Sequence, residues 1–168
     1  MTMQTDVLAG TLVESGFVCK QRTRVKGISI KGGASAGFLE IYSTTAAPVA
    51  ATYARSGNTV TVSKTAHGLV TGNQIGISFR TGTGGTATDG NYVVTRLTAD
   101  TFSVTDINSG SITAGAVCNY ADQWIMTYRT VAGDTFLNYW YVPGEGILAR
   151  NGVYLAITNL TAASVFYG

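Results

Sequence analysis

Charge is the first shortage. Eleven Lys and Arg and nine Asp and Glu make up 12% of the 168 residues and leave a net charge of +2, against the ~25% charged residues of an ordinary soluble domain. A chain this close to neutral exerts no general pull on nucleic acid. One histidine and nine carboxylates leave little material for acid–base or metal chemistry. The two cysteines, Cys19 and Cys118, lie far apart with no Cys-x-x-Cys or Cys/His spacing, whereas a structural zinc needs about four clustered ligands. They read as buried thiols, with a disulfide open if their strands are neighbours. No window reaches the ~18 to 20 unbroken apolar residues of a membrane helix. No basic start followed by an apolar run marks a secretory leader. Helical periodicity is missing too, since apolar residues nowhere recur at three and four positions over a long window.

What replaces charge is neutral and hydrogen-bonding. The chain holds 21 Gly and 25 Thr, and apolar residues reach 45% with 10% aromatic. A core can form, and disorder is excluded on the aromatic content. Runs rich in Val, Ile, Thr and Tyr, separated by Gly, Asn, Asp and Ser, predict an all-β chain. Strands are expected at 7–13, 17–25, 26–31, 38–43 and 50–53, then at 60–63, 74–79, 92–97, 102–106 and 112–117. A last set falls at 124–130, 135–142, 147–149, 153–159 and 164–167. Turns are expected at Gly32-Gly33, Ser56-Gly57-Asn58, Asp89-Gly90-Asn91 and Asn151-Gly152. Asn-Gly between two apolar runs favours a two-residue type I′ hairpin, because both positions accept positive φ.

Composition shifts along the chain. Residues 55–117 hold no Trp and many Thr and Gly, while the flanks hold both Trp and most of the Tyr. The expected organisation is one β-sandwich, jelly-roll-like, built from 1–54 and 118–168, with 55–117 inserted as a small five-stranded β-barrel. The ends of an inserted domain can lie close together, which makes such an insertion easy.

Two features are candidate interfaces. The first is aromatic: Trp124 and Tyr128, then Phe136, Tyr139, Trp140 and Tyr141. Alternation puts Trp124, Met126 and Tyr128 on one strand face. It puts Phe136, Trp140 and Val142 on one face of the next strand, and Leu137, Tyr139 and Tyr141 on the other. Both faces of that strand are apolar, so both are expected to be covered. The cover is the chain itself, a neighbouring subunit or a sugar. The second feature is the stripe Lys20, Arg22, Arg24 and Lys26, at every other position, with Lys31 close by. It reads as a solvated strand face or a protected edge, or as a docking face for an acidic protein surface. Gly27, where the pattern changes to Ile28 and Ile30, is expected to mark a bulge that switches faces.

Catalytic patterns do not assemble. His67 sits in a His-Gly turn with no nucleophile and orienter evident beside it. Glu14, Glu40 and Glu145 are scattered, whereas glycoside hydrolysis needs two carboxylates about 5 to 10 Å apart. Gly82-Thr83-Gly84-Gly85 lacks the Lys of a phosphate-binding loop and reads as a hairpin tip. No enzyme activity, metal or cofactor is expected.

The middle segment, GNTVTVSKTAHGLVTGNQIGISFRTGTGG and TDGNYVVTRLTADTFSVTDINSG, resembles a small β-barrel module of tailed-bacteriophage tail and fibre proteins. The similarity rests on His67-Gly68-Leu69, Gly72-x-x-Ile75, Asp89-Gly90-x-Tyr92-x-Val94 and Thr101-Phe102-x-Val104. The stretches TRVKGISIKGGASAGFLEIYST and YVPGEGILARNGVYLAITNLTAASVFYG are similar to short virion structural proteins of marine phages. The resemblance carries no catalytic residue. It implies a non-enzymatic virion protein, made in the bacterial cytoplasm and placed on the particle surface. The role expected first is a capsid decoration, or cement, protein that oligomerises and binds the major capsid protein. The alternative is a tail fibre, tip or adaptor component, for which a host glycan is a partner. Neither role involves a membrane, and nucleic acid is not an expected partner.

Overall fold

The computed structural model describes residues 7–168 and is all-β. Fourteen strands and no helix occur among the described residues. In chain order they are β1 (Leu8–Leu12), β2 (Gly16–Cys19), β3 (Thr23–Gly32), β4 (Phe38–Ser43), β5 (Val49–Ser63), β6 (Gln74–Phe79) and β7 (Gly90–Val93). There follow β8 (Thr95–Arg96), β9 (Thr101–Ala121), β10 (Gln123–Arg129), β11 (Leu137–Tyr141), β12 (Ile147–Ala149), β13 (Val153–Thr158) and β14 (Leu160–Tyr167).

Two compact units result, one comprising residues 1–47 and 127–168 and the other 48–126. The expected limits at 54/55 and 117/118 fall inside β5 and β9, which run unbroken through them. The glycines there bend a strand instead of ending it. In the antiparallel β5–β9 ladder the register slips between Tyr53 and Arg55 and again between Gly57 and Thr59. Gly57 takes φ +60°, so the expected turn at Ser56-Gly57-Asn58 is absorbed as a bulge.

The first unit holds two antiparallel sheets, an arrangement consistent with a β-sandwich. One is ordered β1-β14-β3-β11, with β12 also against β3, and the other β10-β4-β13-β2. Their common filling is β-branched and aliphatic. Val25, Ile28, Ile30, Leu39, Ile41, Val153, Leu155 and Val165 are all fully buried, each adding about 1.5–3 kcal/mol of burial free energy. Gly27 sits at a register slip as expected, with Phe166 opposite Gly27 and Tyr167 opposite Val25. The slip keeps Val25 and Ile28 both in the core although they stand three apart. Asn151-Gly152 does not form the expected hairpin. β12 pairs with β3 in one sheet and β13 with β4 and β2 in the other, so this turn carries the chain between sheets.

The second unit is one sheet ordered β5-β9-β6-β7, with β8 also against β9. β9 therefore meets β6 near its C-terminal end, at Cys118–Ala121, and β8 near its N-terminal end, at Phe102 and Ser103. Strict alternation along Thr59–Ser63 sends Val60 and Val62 inward. They join Tyr53, Ile77, Phe79, Val94, Phe102, Cys118 and Tyr120 in a closed core. Tyr53 stacks edge-on to Phe79 at 4.8 Å and Phe102 to Tyr120 at 5.6 Å. Cys118 lies in this core and Cys19 on β2 of the other unit, and the two form no disulfide.

Candidate functional site

The aromatic run after residue 130 becomes the outer lane of a sheet. β11 pairs on one side with β3, from Leu137 opposite Lys31 to Tyr141 opposite Gly27, and no strand pairs with its other side among the described residues. The lane is seated by small residues on β3. A Cβ at Gly32 would lie 2.0 Å from the Asp134 carbonyl oxygen, and one at Gly27 2.9 Å from that of Trp140. The Asp134 carboxylate accepts the Phe136 N–H at 3.3 Å and the Asn138 side-chain amide at 3.0 Å, which fixes the start of the strand.

Directly paired residues share a face. Leu137, Tyr139 and Tyr141 therefore stand on the outer face with Lys31, Ser29 and Gly27. Asn138 and Trp140 stand on the core face with Ile30 and Ile28. Tyr139 lies edge-on to Phe166 of β14 at 5.5 Å, and Trp140 edge-on to Tyr128 of β10 at 5.3 Å. These contacts orient the rings without covering them. Phe136, Leu137, Tyr139, Trp140 and Tyr141 are 80%, 70%, 57%, 52% and 67% exposed. Of the three covers the sequence leaves open, the chain itself does not enclose these rings. As an outermost strand β11 has a strand partner on one side only among the described residues.

Tyr128 is half-buried against Trp140, but Trp124 belongs elsewhere. Its N–H donates to Asn91 Oδ1 at 2.8 Å, and its carbonyl accepts the Asn91 amide at 3.0 Å. A Cβ at Gly76 would lie 1.7 Å from the Trp124 nitrogen, so only glycine lets the chain leave the second unit along this path. Residues 48–126 contain Trp124, and residues 127–168 contain the other aromatics of the run.

The basic stripe is also divided. Lys20 and Arg22 lie in the crossing between β2 and β3, and only Arg24 and Lys26 are on a strand. The expected single strand over 17–25 fails because β2 and β3 belong to different sheets. Lys20 sits over the Phe17 ring at 5.3 Å. Arg24 pairs with Glu145 at 3.2 Å and donates to the Gly146 carbonyl at 3.3 Å. It thereby pins the Pro143–Gly146 turn and gives up much of its charge as a docking feature.

His67 is engaged in structure. Its Nδ1 accepts the Leu69 N–H at 3.0 Å, and its Nε2 lies 3.2 Å from the Thr98 carbonyl, the pattern of a neutral ring. The ring packs edge-on to Phe102 at 5.2 Å. Among the described residues no three His, Cys, Asp or Glu side chains gather as a metal site requires.

A buried ion pair escaped the sequence reading. Arg55 and Asp106 meet at 3.3 Å and are both buried. Burial opposes ionisation of Asp106. The N–H groups of Asn108 and Thr88, at 3.0 and 2.9 Å, outweigh it with Arg55 and hold the carboxyl below its ordinary range. Nearby, burial together with Asp106 and Asp89 pushes the Tyr92 phenol up to about 12. Its hydroxyl donates to the Thr88 carbonyl. Asp89, Tyr92 and Asp106 border a shallow surface hollow between 88–93 and 105–107. These groups are all bound into the fold, and the hollow presents no nucleophile with a base. The uncovered lane of β11 is the surface best suited to a partner.

No protein-family model, curated protein or solved structure matches this chain.

Proposed function

We propose that this chain is a non-enzymatic structural protein of a tailed-phage virion, a decoration protein that packs on the capsid shell. The observation that carries the reading is the uncovered aromatic lane of β11. Large aromatics are enriched and charges depleted at the centres of protein interfaces, and the lane from Leu137 to Tyr141 holds three aromatics and no charge.

Strand order supports the structural class. With β11 and β12 counted as one lane beside β3, the eight lanes of these two sheets, numbered along the chain, lie first-eighth-third-sixth in one sheet and second-seventh-fourth-fifth in the other. That order supports the jelly-roll reading, a double Greek key used by viral capsid and lectin domains, and fold alone is an analogy for function. In the second unit, β9 is met by β6 and β8 at its two ends, which favours the barrel reading of the insert. Neutral Thr, Ser, Gly and Asn on the surface let copies pack without stripping water from many ions.

A tail component is the second reading, favoured by Tyr139 and Tyr141 standing exposed on one face, as a glycan platform requires. Copy number separates the two. A quantitative gel of purified virions of the encoding phage should show hundreds of copies per particle. Three to twelve copies would assign the chain to the tail, and absence from the particle would overturn both.

A further inference from the structure

We propose that the partner on β11 is β11 of a second copy, added antiparallel so that the outer sheets of two chains become one. This rests on the assembly reading above and names the occupant of that surface. Edge strands of stable monomers are usually blunted by Lys, Pro or inward charge, and Leu137-Asn138-Tyr139-Trp140-Tyr141 has none of these. Val142 donates its N–H to the Lys26 carbonyl at 2.9 Å. By alternation the N–H and C=O groups of Leu137, Tyr139 and Tyr141 then point away from β3 and are set to pair outward.

The lane is self-complementary. A two-fold axis through Tyr139 pairs Tyr139 with its own copy, Leu137 with Tyr141 and Asn138 with Trp140. No like charges face each other, and each apolar residue stays on its own face. A two-fold contact also closes, whereas joining β11 to β1 of the next copy would run on as an open fibre. The exposed parts of Phe136, Leu137, Tyr139, Trp140 and Tyr141 come to roughly 600 Å² per chain, so roughly 1,200 Å² is the most a pair can bury through these residues, which reaches the lower bound for a stable interface. β11 itself carries no charge for a charged peptide to pair with, and Lys31 opposite Leu137 is the one cation beside it.

The test uses the whole chain in sedimentation velocity. The wild type is expected at twice its 17.6 kDa mass at tens of micromolar protein. Leu137→Lys with Tyr141→Lys sets Lys against Lys twice across the axis and should weaken pairing by about 100-fold. Leu137→Lys with Tyr141→Glu sets Lys against Glu in the same register and should restore a pair that loosens with salt. Circular dichroism of both variants checks that the sheets are intact. A monomeric wild type, or equal loss in both double variants, overturns the pairing. Binding of a soluble glycan at the lane without self-association overturns it too. A wild-type monomer that is still abundant on virions would sink this inference and leave the virion reading standing, and a pair that is absent from virions would do the reverse.

Discussion

The two units dispose of their aromatic residues in opposite ways. In residues 48–126 Tyr53, Phe79, Phe102 and Tyr120 are enclosed in one core. In residues 127–168 Phe136, Tyr139, Trp140 and Tyr141 are all more than half exposed, Trp140 although it stands on the core face. Aliphatic residues alone fill the deepest positions of β3, β13 and β14. Apart from Tyr42 of β4, which is fully buried, this body takes its deepest positions mainly from Val, Ile and Leu, and the rings of residues 136–141 remain for contact. The second unit is built to stand by its own packing, and the first to be completed from outside. Substitutions should therefore cost folding free energy in one and association in the other.

The sharpest break is at the buried pair of the second unit. Asp106→Ala leaves Arg55 buried without its counter-charge, and Nη2 of Arg55 already has no partner. The expected loss is about 3–5 kcal/mol, read as a lower urea midpoint by Trp124 fluorescence in a Trp140→Phe background. Because the Asp106 pKa is lowered in the folded state, its stabilisation is present above the unfolded carboxyl value. It disappears only as pH falls through the folded value. Wild type and variant should thus converge in strong acid and separate near neutrality, and parallel curves would contradict the assignment.

At the boundary between folding and contact stands Trp140. Its ring partner among the described residues is Tyr128, and half of its surface is open. Trp140→Ala should cost about 0.5–1.5 kcal/mol for the ring pair, seen as a modest fall in the thermal midpoint. A loss as large as that at Asp106 would mean that this ring belongs to the core and would erase the contrast between the units.

Alkali offers a smaller probe of the second unit alone. Tyr92 is raised to about 12 from 10.0, so the folded state holds its proton longer than the unfolded chain. Stability is unaffected below about pH 10 and falls as pH rises from there toward 12. The ring is half-buried, so the slope is shallow. Tyr92→Phe should flatten it in urea titrations between pH 9 and 11, and an unchanged slope in the variant would contradict the assignment.

Local pattern made some of this legible. Val60 and Val62 alternate visibly, and Gly27 marks a break in period that became a bulge. The composition shift falls within the unit of residues 48–126, but the limits drawn from it lay inside β5 and β9 because glycines in long paired strands bend them without ending them. The stripe Lys20–Lys26 was misjudged because alternation was extended across a point where the chain changes sheets. Which sheet a strand joins depends on partners over a hundred residues away, as with Gly32 and Leu160, and no local period records that. Arg55 and Asp106 were invisible for the same reason. The aromatic lane was legible as residues but not as a surface, since two apolar faces look the same whether covered by the chain or waiting for a partner.

The smallest expected effect on folding belongs to Tyr141, and it is the most telling. Tyr141 is 67% exposed at the end of β11, opposite Gly27, which offers no side chain to pack on. Tyr141→Ser removes the ring and keeps the strand, so the thermal midpoint should move by the equivalent of no more than about 0.5 kcal/mol. The same change takes an aromatic anchor from each side of the two-fold contact, at Leu137 of each copy, and should shift the monomer–dimer midpoint to higher concentration. Association that weakens while folding stands still is the behaviour of an interface. Folding that weakens in step would show that the lane stabilises its own sheet, and the division of labour between the two units would be lost.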